Sequence, residues 1–257
     1  MKSPMEQFTI SPILRGNGPL LPVHVGHHDF TFTNQSLWMC IVVVAASLFL
    51  TLAVARPRLV PGRMQSMAEL SYEFVANMIR SAAGEDGMIF FPFVFTIFVF
   101  VLFSNFFGLI PGAFTVTSQI AVTFALACLV ILTVIVTGFA VHGFGFLKLF
   151  VPHAPWYLLI LLVPIELISF FTRPVSLSVR LFANMLAGHT MLKVFASFVI
   201  ALGGATAIYL KLMSIAPMFL IVAISALELL VAFLQAYVFA ILTCIYLNEA
   251  LHLHDQH

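Results

Sequence analysis

The stretch from Trp156 to Leu202 constrains this chain most: it is almost continuously apolar, yet it carries Glu166, Arg173, Arg180, Asn184, His189 and Lys193. At the rise of an α-helix it would be about 70 Å long, more than twice the ~30 Å hydrocarbon thickness of a bilayer. It cannot stand upright as one lipid-facing span. Between Pro174 and Leu202 only Gly188 interrupts it, and Pro164 and Pro174 kink a helix more readily than they end one. One steeply tilted helix fits better than two.

The rest of the chain agrees with a membrane setting. Of 257 residues, 62% are hydrophobic and 8% charged, against about 45–50% and about 25% in soluble domains. So little charge cannot solvate a particle of this size. An ordinary soluble enzyme, a disordered chain and a basic nucleic-acid binder are excluded, and an integral membrane protein remains. A net charge of +1 gives no strong field to recruit an anionic partner. Cys40, Cys128 and Cys244 are far apart and form no CxxC pair, so they are expected to be buried core thiols.

Residues 1–36 form an N-terminal arm with prolines, glycines and His24, His27 and His28, without the basic-then-apolar pattern of a cleaved signal. His27-His28-Asp29 has no further ligand at a useful spacing, so a solvated loop is expected there, not a metal site. From residue 37 onward the sequence implies a single membrane domain. Residues 37–55 are an uncharged run that stops at Arg56-Pro57-Arg58 and Pro61-Gly62-Arg63, a basic cluster expected on the inner side. In residues 64–82, Met67, Leu70, Phe74 and Met78 recur at helical spacing while Ser66, Glu69, Glu73, Asn77 and Arg80 line another face. That pattern predicts an amphipathic helix on the membrane surface.

Gly84-Glu85-Asp86-Gly87 breaks it; residues 88–110 and 120–141 are further apolar spans, the first closed by Pro111-Gly112. After Lys148 and the turn Pro152-His153-Ala154-Pro155 comes the long element, residues 156–202. Gly203-Gly204 then leads to a last long apolar helix, residues 217–248, and His252, His254, Asp255 and His257 make a solvated tail. The expected fold class is an all-α integral membrane protein. It has about five crossing helices and one surface helix, with the last two helices long and tilted. Five crossings put the N-terminus outside and the C-terminus inside. Trp38 and Trp156 suit the aromatic belt.

An ionisable group at membrane depth costs about 2.5–3.5 kcal/mol on insertion scales, so each needs a reason. Glu166, Arg173 and Arg180 are spaced by seven, which leaves successive members about 20° apart on one helical face. Asn184 follows near the same stripe, which must point at protein or water. On the last helix Glu228 and Gln235 are again seven apart, and Ala232, Ala236 and Ala240 form a small-residue track that permits close helix approach. Glu228 and His189 can bind and release protons near working pH, whereas Arg180 stays charged. This inventory suits proton movement. The bland readings are snorkelling for Arg173 and Lys193, backbone satisfaction near Pro174 for Ser176 and Ser178, and simple packing for His189.

The run Pro174-Val175-Ser176-Leu177-Ser178-Val179-Arg180-Leu181-Phe182-Ala183-Asn184-Met185-Leu186-Ala187-Gly188-His189 resembles the signature of subunit a of F-type ATP synthases, around that family's essential arginine. Leu234-Gln235-Ala236-Tyr237-Val238-Phe239 and Met5-Glu6-Gln7-Phe8 extend the resemblance, which covers essentially the whole chain.

The resemblance implies that Arg180 faces a rotating ring of c subunits, with Asn184 and Gln235 as its polar neighbours and Glu166 at an acidic position of the family. The positions of His189 and Glu228 are occupied in reverse in some bacterial members. The order found here resembles the alphaproteobacterial and mitochondrial branch, and it implies that the two act as a unit. The implied mechanism has two aqueous half-channels. Protons enter from the outer side past Glu228 and His189, reach a ring carboxylate, and leave inward past Glu166 and Arg173. Arg180 stands between the channels, favours the ionised ring carboxylate and bars a continuous proton wire.

The implied partners are the c ring, the peripheral-stalk b subunits, other ATP synthase subunits and the lipid bilayer, with no nucleic acid, small-molecule substrate or cofactor. The proton is the translocated ion. The implied location is a bacterial inner membrane, or alternatively the mitochondrial one. The sequence has no GxxxxGK loop, GxSxG elbow or HExxH motif, so an enzyme reading is weak. The rival from another class is a proton-coupled secondary transporter, which normally shows repeated halves and broken helices. A purely structural subunit would not keep an arginine and two carboxylates at such depth.

Overall fold

The computed structural model describes residues 14–15, 18–19, 24–25, 28–29, 33–55, 60–110, 113–150, 156–204 and 208–251. Outside them lie Met5-Glu6-Gln7-Phe8, His27, Arg56-Pro57-Arg58, Pro111-Gly112, the turn Pro152-His153-Ala154-Pro155, and His252, His254, Asp255 and His257, as does the side chain of Trp156.

The described residues hold the α-helices α1 (Asn34–Val54), α2 (Arg63–Ala83), α3 (Phe91–Gly108), α4 (Ile120–His142), α5 (Trp156–Gly203), α6 (Ile208–Met213) and α7 (Ile215–Leu251). Five stretches, within Asn34–Val54, Asp86–Gly108, Ile120–Phe146, Leu158–Gly203 and Lys211–Leu251, are long and apolar enough to cross a membrane. The arm departs from the helical pattern in two short backbone pairings. Leu14–Arg15 lies antiparallel to Gly18–Pro19, and His24–Val25 to His28–Asp29, where an unpaired loop is expected from sequence.

Local chemistry explains the helix ends. Thr33 caps α1: its hydroxyl oxygen accepts the Ser36 N–H at 3.4 Å and its carbonyl accepts the Leu37 N–H at 3.1 Å. Gly84 ends α2 at φ 69° and ψ −168°, a conformation that a side chain would strain. α5 runs unbroken through both Pro164 and Pro174. At about 70 Å it fits a ~30 Å apolar core only when strongly inclined.

Packing divides the chain into two units, one of Met1–Leu48, Phe100–Gln119 and Phe182–Gln235, the other of Phe49–Val99, Ile120–Leu181 and Ala236–His257. In the second unit α2 buries Val75, Met78 and Ile79. Its Tyr72 ring lies 4.5 Å from Phe91, and Phe74 lies 5.8 Å from Phe98 and 5.6 Å from Tyr237. The apolar face expected from sequence is therefore divided. Phe74 and Met78 meet protein, whereas Met67 and Leu70 stay exposed to one side, as suits a helix with both protein and lipid beside it. Ser178 is fully buried, 3.1 Å from the Thr123 hydroxyl on α4; it joins two helices instead of satisfying backbone near Pro174. His142, at the end of α4, bonds the Leu251 carbonyl of α7 at 3.0 Å.

The cysteine expectation is corrected. Cys244 is buried, but Cys40 is exposed and Cys128 is only half-buried. An apolar neighbourhood in sequence means burial in protein only when water is the solvent. On helices that keep Val43, Val44, Leu48 and Leu132 exposed, lipid takes that place.

Candidate proton-path residues

In the first unit the site begins with Asn105, a polar residue inside the phenylalanine-rich α3. Asn105 is fully buried and both ends of its amide are used. Nδ2 donates to the Ala232 carbonyl of α7 at 3.1 Å, and Oδ1 accepts the Thr117 hydroxyl at 2.9 Å. A buried amide left unpaired would cost several kcal/mol, so these bonds hold α7 and the α3–α4 connector against the end of α3. The connector folds into a short 3₁₀ turn, Val116–Ser118, in which the Ser118 hydroxyl donates to the Thr115 carbonyl at 2.6 Å. This turn places the Thr115 hydroxyl 3.2 Å from Nε2 of His189 on α5.

The other ring nitrogen of His189, Nδ1, lies 3.7 Å from Oε1 of Glu228 on α7. Glu228 is 5% exposed, and neither carboxyl oxygen accepts a hydrogen bond from the described residues. Gly188 makes the approach possible: a Cβ there would stand 3.0 Å from the Glu228 Cδ and 3.1 Å from its Cγ. One turn nearer the start of α5, Asn184 Nδ2 donates to Gln235 Oε1 at 3.0 Å. Gln235 is 3% exposed, and its Nε2 has no acceptor among the described residues. The arrangement is two sets of groups that can pass or orient a proton, a hydroxyl, imidazole and carboxyl in one and a pair of amides in the other.

In the second unit Arg173 Nη1 donates to Glu249 Oε2 in an ion pair. Its guanidinium carbon is 5.1 Å from the centre of the Tyr246 ring and 5.8 Å from that of Phe170, within cation–π range. The head is thus turned to an acid of its own chain, which replaces the snorkelling reading. Arg180 differs. It is exposed on α5, and its guanidinium makes no hydrogen bond or ion pair with the described residues. Glu166 is half-buried and likewise has none.

Of the residues singled out by sequence, the structure brings together His189 with Glu228 and Asn184 with Gln235. Asn105, Thr115, Thr117 and Glu249 were not among them. Glu249 had a signal, since it falls two seven-residue steps beyond Gln235, on the line that Glu228 and Gln235 begin along α7. Asn105 had a weaker one, as a lone amide in an apolar helix. Among the described residues no group of three or more His, Cys, Asp or Glu could hold a metal ion.

A family model described as ATP synthase A chain matches residues 36–248. Similar proteins include the ATP synthase subunit a of Chelativorans sp. (strain BNC1), 60% identical over 250 residues that cover 97% of this chain and 97% of that one. The ATP synthase subunit a of Mesorhizobium japonicum is also 60% identical, over 97% of this chain and 96% of its own. That of Agrobacterium fabrum is 56% identical over 97% of each.

Proposed function

The chain belongs to the ATP synthase A chain family, and we propose that it moves protons through two aqueous half-channels against a ring of c subunits, with Arg180 between the channels. The observation that carries this reading is the exposed Arg180 guanidinium, which has no acidic partner among the described residues of its own chain although it lies within an apolar helix. A permanent charge in that position is too costly to leave unanswered, and an acidic side chain on another membrane subunit would answer it.

Protons enter from the outer side past Glu228 and His189, load a ring carboxylate, and leave toward the inner side past Glu166 and Arg173. Asn184 and Gln235 orient the region next to Arg180. A loaded carboxyl is neutral and can face lipid; on meeting Arg180 the ionised form is favoured and the proton departs. Without the arginine the membrane potential, worth about 2.3 kcal/mol per charge per 100 mV, would drain without turning the ring. The N-terminus lies outside and the C-terminus inside a bacterial inner membrane. The b subunits of the peripheral stalk hold the chain against the torque. It has no nucleotide site or cofactor of its own, and ATP chemistry takes place elsewhere in the complex.

Cysteine accessibility tests the outer half-channel. In vesicles bearing the whole complex, Thr117→Cys and Gln235→Cys should react with silver ion and lose proton-driven ATP synthesis. Val222→Cys and Leu229→Cys, at positions exposed on the apolar surface, should not respond. Equal reactivity at all four positions would rule out a water-filled path.

A further inference from the structure

We propose that Thr115 is a positioning residue that fixes which nitrogen of His189 carries the ring proton, so that the unprotonated nitrogen faces Glu228. This rests on the reading of His189 and Glu228 as a proton path. A threonine hydroxyl has one proton to give and lone pairs to receive with. Gly108 is the last residue of α3, where helix carbonyls have no intrahelical donor. The Gly108 carbonyl lies 3.5 Å from the Thr115 hydroxyl, within its reach as a donor. The approach is close enough to require glycine: a Cβ at residue 108 would meet the Thr115 Cγ2 at 2.7 Å.

With its proton turned to Gly108, Thr115 Oγ1 can only accept from His189 Nε2, at 3.2 Å. The neutral imidazole then bears its proton on Nε2, and Nδ1 presents a lone pair to Glu228 Oε1 at 3.7 Å. In that tautomer a proton can pass from the Glu228 carboxyl to Nδ1. The O–H bond breaks, an N–H bond forms, the electron pair stays on the carboxylate, and the reverse step restores both groups. In the opposite tautomer Nδ1 already holds a proton and can accept none from Glu228. Asn105 supports the device from behind, because its bond to Thr117 fixes the turn that carries Thr115. Among the described residues, the charged groups beside the imidazole include Glu228 from α7 and Lys193, one turn further along α5.

The test uses the complete ATP synthase in lipid vesicles with Thr115→Val, which keeps the shape and removes the hydroxyl, and Thr115→Ser, which keeps the hydroxyl. Thr115→Val should slow proton-driven ATP synthesis about tenfold, the order that one lost orienting hydrogen bond supplies, and Thr115→Ser should stay near the wild-type rate. Solid-state NMR of isotope-labelled histidine, with the His189 signals identified by their loss in His189→Gln, should show the neutral ring protonated at Nε2 in the wild type and Thr115→Ser. An Nδ1-protonated population should appear in Thr115→Val. A wild-type ring protonated at Nδ1, or a tautomer unchanged by Thr115→Val, overturns the proposal. A tautomer shift with no loss of rate supports the assignment to Thr115 and counts instead against His189 and Glu228 as a proton path.

Discussion

Replacing Arg180 with alanine will abolish proton-driven ATP synthesis while the subunit still assembles. The guanidinium is exposed and bonded to none of the described residues, so its removal opens no cavity and breaks no hydrogen bond of the described fold. What disappears is a fixed positive charge. An opposite charge at close range shifts a carboxyl group by about 1–3 pKa units, so losing it alters the ring carboxylate's ionisation by roughly tenfold to a thousandfold. Synthesis measured in vesicles should fall by about a hundredfold or more, toward the upper part of that range, because loading and unloading of the ring carboxylate both depend on its ionisation. Arg180→Lys should recover little, because an ammonium is a compact, strongly hydrated charge without the planar fork. Near-wild-type synthesis with alanine would remove Arg180 from the mechanism.

The second large effect concerns His189 and Glu228. His189→Glu sets two carboxyl groups about where a ring nitrogen and a carboxyl oxygen now stand 3.7 Å apart, and Glu228→His sets two imidazoles there. Like charges that close cannot both be held cheaply, so each single change should cut proton pumping by about tenfold or more. The exchanged double variant restores one acid and one base in the opposite order and should regain part of the loss. A coupling of about 0.5–3 kcal/mol is the usual size for groups in direct contact. If the two losses simply add, the residues work independently, and His189 is a packing histidine that happens to stand beside Glu228.

The long helices were legible because lipid leaves the backbone few choices. Apolar runs too long for a core strand, bounded by proline, glycine and charge, become helices, and α5 and α7 follow apolar runs that no turn cluster interrupts. The pairing of His189 with Glu228 and of Asn184 with Gln235 was approachable only through the family resemblance, because helical spacing by itself sets His189 on the opposite side of α5 from Arg180. The support behind them was hidden. Asn105, Thr115 and Thr117 meet their partners through a turn between helices, and no periodicity encodes the path of such a turn. Ser178 and Thr123 bond across two helices separated by a long stretch of chain, a pairing invisible to local spacing. Exposure was misread where lipid can replace protein, as at Cys40 on α1 and Cys128 on α4.

The central claim is that the face of α5 bearing Arg180 meets the c ring. Ser176, Val179, Arg180, Ala183 and Asn184 are exposed on that helix, whereas Ser178, Leu181 and Met185 are fully buried. Cysteine cross-linking in intact membranes reads the two faces directly. With a cysteine at the centre of the ring subunit's outer helix, Ala183→Cys should form a disulfide with it, and Met185→Cys, two residues away but turned into the chain, should not. Cross-linking from Met185→Cys and none from Ala183→Cys would contradict the account, because the arginine would then face away from the subunit it is held to act upon.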